Sequence, residues 1–259
     1  MQIAGSVAIV TGSNRGVGRE LVEALLERGA ATVYAAARTP ATLEPVIALD
    51  PQRVIPVELD LTRGALIDAA AGVASDVTLV INNAAIAQFV PGLDAPRQSI
   101  LDELMTNTMG TFDMVRAFTP VVEGNGGGAI VNVMSLQSFA GSLGMDGYSA
   151  SKAATHSLTQ SLRPALAARG IVLSGVYPGG IDTDMLKGID APKSSPMTVA
   201  TGILDGVEAG QDDIFPDPVA RFLGGIFQAD PKRYEYLFAN TPQLVAALEE
   251  ARGSGDLVM

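Results

Sequence analysis

The sequence predicts an α/β fold in three layers: a doubly wound parallel sheet with helices on both faces. Two observations carry this expectation. Short apolar runs rich in β-branched residues recur along the chain, each followed by a segment able to form a helix. The runs are continuously apolar rather than alternating, as befits strands covered on both faces, and right-handed crossovers between such strands make the sheet parallel.

The first run, residues 6–11 (SVAIVT), stops at a glycine cluster before helical periodicity at 19–26. Five more follow at 32–37 (TVYAAA), 54–57 (VIPV), 77–81 (VTLVI), 129–134 (AIVNVM) and 171–176 (IVLSGV). This is a Rossmann-like arrangement, in which a ligand binds beyond the carboxyl ends of the strands, near the reversal of strand order. With 47% hydrophobic against 17% charged residues, the 259-residue chain has enough apolar material for a substantial core. One domain over 1–259 is expected. The formal charge of −11 disfavours nucleic acid and anionic membrane surfaces as partners and favours a small molecule. Cysteine is absent and histidine occurs once, so disulfides, thiolate nucleophiles and Cys- or multi-His metal sites are excluded; this leaves carboxylate-bound cations open, but no metal site is expected. The N-terminal segment lacks a basic region before a long apolar stretch, and no run approaches a membrane span, so a soluble cytoplasmic protein is expected.

Gly12-Ser13-Asn14-Arg15-Gly16-Val17-Gly18 directly follows the first run and opens a helix. Glycines there let backbone amides approach a pyrophosphate at the positive helix end. At the end of the second run, where a ribose 2′-hydroxyl would need an acid, the chain reads Ala36-Ala37-Arg38. Arg38, with Arg15 inside the loop, suits a 2′-phosphate, so NADP(H) is expected over NAD(H); the plainer reading is two ordinary surface arginines. Asp60-Leu61 and Asn83-Ala84 follow the third and fourth runs at the same edge. Either they meet the ligand, or Asp60 caps the next helix and Asn83 a turn. After the sixth run, Pro178-Gly179-Gly180-Ile181-Asp182-Thr183 forms a loop whose backbone groups can meet a flat ring.

Residues 99–122 read as a long helix with Asn107 in its middle, a costly placement unless the amide is satisfied, for example by a neighbouring strand. Residues 149–169 read as another helix, carrying Lys152 in its first turn. Tyr148 stands four residues before Lys152, and Ser135 thirteen before Tyr148. If the segment is helical, the spacing of four puts both side chains on one face, where the ammonium lowers the phenol pKa from its usual ~10. Ser135 can then polarise a substrate oxygen. His156, one turn beyond Lys152, reads as packing or surface polarity.

Gly12, Gly16 and Gly18 with their three-residue first gap, the Asn82-Asn83-Ala84 turn, Asn107, Ser135, Tyr148-x-x-x-Lys152 and Pro178-Gly179 occur together in this order. From about residue 6 to 183 the chain therefore resembles the short-chain dehydrogenase/reductase family, and specifically an NADP-preferring, carbonyl reductase-like member. The resemblance implies that Tyr148 is the general acid of carbonyl reduction, that Lys152 lowers its pKa and holds the nicotinamide ribose, and that Ser135 bonds the substrate oxygen. It further implies that Asn107 holds a water relaying protons to Lys152, that Asp60 contacts the adenine, and that Ile181 and Thr183 touch the nicotinamide carboxamide. Arg38 looks like the residue that selects the phosphate. Two departures stand out. Ala85 replaces a common glycine, and the closing strand and glycine-rich tail give way to 212–218 (DDIFPDP), a very short strand at most. Helical patterns at 219–228, 231–238 and 242–252 then form an extension over about 217–252. A homodimer or homotetramer is expected, with the two long helices available for the dimer contact.

Leu136, Gln137, Met145, Gly180, Met185 and Leu186, beside Ser135 and Tyr148, are the expected substrate-side residues, with 184–196 as a lid. They are mostly apolar, so an uncharged ketone, aldehyde or secondary alcohol is expected. The glycine-loop gap argues against a nucleotide-sugar epimerase or dehydratase, and the Tyr-Lys spacing against an enoyl reductase. A non-catalytic NADPH-binding regulatory protein is the alternative from another class, and the presence of all four catalytic residues disfavours it.

Overall fold

In a computed structural model describing residues 1–90, 92–188 and 192–257, seven parallel strands form one sheet. They are β1 (Val7–Thr11), β2 (Thr32–Ala37), β3 (Val54–Glu58), β4 (Leu79–Asn82), β5 (Gly128–Val133), β6 (Ile171–Val176) and β7 (Asp213–Ile214), ordered β3-β2-β1-β4-β5-β6-β7. The order reverses between β1 and β4, so the functional edge lies beyond their carboxyl ends. Successive residues feed opposite layers. Ala8 and Val10 pack into one buried cluster and Ile9 into the other, as Leu79 and Ile81 do against Val80. Both faces are covered, which is why the strands read as unbroken apolar runs.

One layer holds α1 (Gly16–Glu27), the short α2 (Glu44–Ile47) and, later in the chain, Pro196–Glu208. The other holds α3 (Gly64–Val73), α4 (Arg97–Glu103), α5 (Gly110–Gly124) and α6 (Asp146–Ala167). The remaining helices are α7 (Pro196–Glu208), α8 (Pro218–Ala229), α9 (Pro231–Ala239) and α10 (Thr241–Ser254). The last three share a third apolar cluster with Met134, Leu136 and Tyr177, at the edge of the sheet where β5 and β6 end. Among the described residues no helix is long and apolar enough to cross a membrane.

Two sequence expectations change. The helix read at 99–122 is interrupted: α4 and α5 are joined by a π-helical segment, Leu104–Met109, that contains Asn107. Such wide turns often mark functional sites. Helix α6 starts at Asp146 rather than 149, which puts Tyr148 inside the first turn and Lys152 in the second. The closing strand is indeed minimal, with only Asp213 and Ile214 paired to Gly175 and Val176. In the stretch read as a lid, Asp184–Leu186 form a 3-10 turn and Ser194 bridges to Ile181, while residues 189–191 lie outside the described residues.

Gly110 lets α5 start directly against the loop after β3. A Cβ there would lie 2.6 Å from the Leu61 Cβ and 2.8 Å from the Leu61 carbonyl oxygen. Because backbone must then shift, Gly110→Ala is expected to destabilise the protein by about 1–3 kcal/mol, read as a lower urea midpoint. An unchanged midpoint would show that the loop gives way freely.

Candidate active site

The glycine loop turns out of β1 with positive φ at Gly12 (69°) and Gly16 (55°), where a side chain would be strained. At Gly18 a Cβ would stand 2.1 Å from the Gly12 carbonyl oxygen, so the helix and loop approach as only glycine permits. No side chain caps α1, and its first amides open on a cleft. Behind the loop, the Asn83 side-chain amide donates to the Thr11 carbonyl at 2.9 Å, and the Asn83 and Ala84 amides donate to the Thr11 hydroxyl. Asn83 thus braces the loop while also lining the cleft. Ser13 does not line it. Fully buried, its hydroxyl donates to the Val10 carbonyl and accepts from the Ala36 amide, tying the loop to β2.

The cleft has a volume of about 1020 Å³. At one end are exposed Arg38, Thr39 and Thr42 with half-buried Asp60. Asp60 is not the helix cap: α3 begins after Arg63, and the Asp60 carboxylate instead accepts from the Thr62 amide and hydroxyl. Burial pushes its pKa up, but those Thr62 bonds and the Arg38 and Arg63 cations prevail and hold it low. Arg15 pairs with Asp184 at 3.0 Å across the cleft mouth. Both side chains are about 70% exposed, so the pair is weak and its arginine is free to exchange partners.

At the other end, Ser135 leaves β5, Tyr148 and Lys152 come from α6, and Pro178 to Thr183 leave β6. Tyr148 is 9% and Lys152 3% exposed. The ammonium lies 5.5 Å from the phenol ring centroid and donates to the Val133 carbonyl at 2.8 Å. Burial pushes the Tyr148 phenol up to about 12; the nearby Ser135 hydroxyl pulls the other way, and the Glu103 carboxylate adds to the rise. Burial also pushes Lys152 down to about 8. Loss of water is the largest influence on both groups, moving the phenol up and the ammonium down.

Asn107 does not line the cleft. Its side chain accepts from the Ile86 amide and donates to the Ile86 carbonyl and the Ser151 hydroxyl, while its own carbonyl accepts from the Thr111 and Thr155 hydroxyls. The amide is satisfied, chiefly by the segment after β4. Gln137, Met145, Met185 and Leu186 do line the cleft, as do Leu136 and Gly180; the Gln137 amide is already engaged with the Met145 sulfur and the Ser149 hydroxyl. His156 is a packing residue, bonded to the Tyr177 hydroxyl at 2.7 Å and edge-on to Phe139.

With this geometry, the family model described as short chain dehydrogenase matches residues 6–194. The chain belongs to this family. It is an oxidoreductase of CH–OH and C=O groups, in a family that uses nicotinamide cofactors. A solved short-chain dehydrogenase from Burkholderia cenocepacia, in complex with NADP, is 38% identical with a TM-score of 0.86, covering 92% of this chain and 99% of that one. Sorbitol dehydrogenase of Cereibacter sphaeroides is 32% identical over 74% of this chain and 76% of its own length. The 3-oxoacyl-(acyl-carrier-protein) reductase of Vibrio harveyi is 29% identical over 90% and 93% respectively.

The residues of this short-chain dehydrogenase fit a dinucleotide. A cradle that a Cβ would fill, uncapped α1 amides and a long polar-to-apolar cleft are the features such a ligand needs. Two buried acids escaped the sequence reading. Glu103, 1% exposed, accepts from the Gln88 amide at 2.6 Å and presses on Gly147, where a Cβ would meet its carboxylate. Asp217, fully buried, caps α8 and accepts from the Gly179 amide and the Ser194 hydroxyl, fixing the loop after β6.

Proposed function

We propose that the protein is an NADPH-dependent carbonyl reductase, working in the cytoplasm as a single catalytic domain that associates into a homo-oligomer. Its substrate is an uncharged, largely apolar ketone, aldehyde or the corresponding secondary alcohol. The observation that carries the reading is the meeting of Ser135, Tyr148 and Lys152 in one water-poor end of the cleft that the glycine loop opens. A bound dinucleotide supplies or accepts the hydride. Gly12 to Gly18, apart from inward-facing Ser13, would cradle its pyrophosphate, with Asp60, Leu61, Asn83 and Ala84 beside the adenosine and Pro178, Gly179, Ile181 and Thr183 beside the nicotinamide.

Tyr148 gives its phenolic proton to the oxygen that becomes the alcohol, and takes it back in the reverse direction. Ser135 orients that oxygen by a hydrogen bond. Lys152 stabilises the phenolate left behind and binds ribose hydroxyls. Asn107 contributes by holding Ile86 and Ser151, which keeps the two catalytic residues of α6 in place. Exposed Met105 and Met109 on the π-helical segment favour association through that face. A purely regulatory NADPH-binding role is not favoured, since Ser135, Tyr148 and Lys152 all line one end of the cleft.

Arg38 favours the phosphorylated cofactor, a reading supported by the NADP-bound relative. The test is cofactor consumption with NADPH and with NADH over a panel of uncharged ketones; tight NADPH binding without oxidation by any of them would favour the regulatory role. Arg38→Asp is expected to lower the NADPH-over-NADH preference in kcat/KM by about 10- to 100-fold, from loss of charge-assisted bonds. An unaltered preference would remove Arg38 from cofactor selection.

A further inference from the structure

The cleft does not end at the catalytic groups. Beyond Ser135 and Tyr148 it continues along Val219 and Leu223 of α8, Phe238 of α9, and Leu244, Val245 and Leu248 of α10. We infer that these C-terminal helices build a tail subsite for an extended apolar group carried by the ketone or secondary alcohol, such as an alkyl chain or fused hydrocarbon ring. The inference rests on the carbonyl reductase reading and adds the substrate class to it.

Three features support a substrate wall over a merely packed core. First, Leu244 and Val245 are only half-buried and face the cleft, so apolar surface is left for a ligand to cover. Second, among the described lining residues every charged side chain comes from the glycine loop and α1, the ends of β2 and β3, Lys152, or the loop after β6, and none from α8, α9 or α10. The Thr241 hydroxyl is the one polar side chain these helices bring to the described lining, too little to replace the hydration of a polyol, phosphate or carboxylate.

Third, the extension is fixed to the catalytic machinery. The buried Tyr234 hydroxyl of α9 donates to the Leu136 carbonyl at 2.7 Å, next to Ser135. Asp217, capping α8, holds the Gly179 amide at 2.9 Å. The apolar wall therefore has a set position relative to the reacting oxygen.

The test is a series of methyl ketones from butanone to nonanone, with the protein's preferred nicotinamide cofactor. In the wild type, kcat/KM is expected to rise about two- to fourfold per added methylene until the subsite is filled. Val245→Trp is expected to lower the nonanone-to-butanone ratio of kcat/KM at least about tenfold, equivalent to the loss of two or more methylenes. Equal kcat/KM across the wild-type series, or an unchanged ratio in Val245→Trp, would overturn the tail subsite while leaving the reductase reading in place. If no ketone of any length consumes cofactor, the reductase reading falls and the subsite with it.

Discussion

Tyr148→Phe is expected to lower kcat for ketone reduction by about a hundredfold to ten-thousandfold, the range associated with a lost general acid. The change removes one oxygen from a side chain that is 9% exposed, so packing is preserved and the cofactor dissociation constant should move little. Ser135 and Lys152 keep their places, but neither can take over. A serine hydroxyl is a far weaker acid than a phenol, and the Lys152 ammonium is held on the Val133 carbonyl. The direction of the phenol pKa adds a second readout. Because burial holds Tyr148 at about 12, the neutral, proton-donating form dominates at neutral pH, and reduction starts from the competent state. Alcohol oxidation needs the phenolate and should quicken as pH rises toward that value. A Phe variant that retains more than a tenth of wild-type kcat, or keeps the rise of oxidation with pH, would remove Tyr148 from proton transfer.

The parts legible in the sequence are those where local chemistry and fold agree. Runs such as SVAIVT and TVYAAA are apolar at every position because neighbours Ala8, Ile9 and Val10 serve different layers, so burial itself writes the strand into the sequence. The glycine loop was readable because backbone approach at Gly18 tolerates no side chain. The π-helical segment around Asn107 was not, since one extra residue in a turn leaves the apolar periodicity almost unchanged. Glu103 was hidden for another reason. An Asp-Glu pair on a helix reads as an exposed face, and only the tertiary approach of Gly147 reveals a buried carboxylate. Likewise the sequence showed helices after residue 217 but not where they dock, which depends on the apolar cluster they form with Met134, Leu136 and Tyr177 and on the Tyr234 hydroxyl meeting the Leu136 carbonyl. Ser13 shows the limit of reading a motif by position: between two cleft-lining neighbours, its side chain serves the sheet.

Lys152→Met should combine loss of activity with a specific change in how stability depends on pH. Activity is expected to fall at least about a hundredfold, because the variant leaves the phenolate formed at Tyr148 without its nearby cation in a site that excludes water. The stability argument starts from burial: Lys152 is 3% exposed, and among the described ion pairs none includes it. Its folded pKa of about 8 lies below the ordinary 10.5, so the unfolded chain binds this proton more tightly than the native protein does. The penalty for burying the charge is fully present below about pH 8, shrinks as pH rises, and vanishes above the unfolded value near 10.5. Methionine carries no such penalty but leaves the Val133 carbonyl without its lysine donor, a cost that does not vary with pH. Relative to the variant, the wild type should therefore gain about 2 kcal/mol between roughly pH 7 and pH 10. Urea unfolding of both proteins across that range measures the difference directly. Parallel stability curves would mean that the lysine titrates alike in both states, and that water reaches its ammonium in the folded protein.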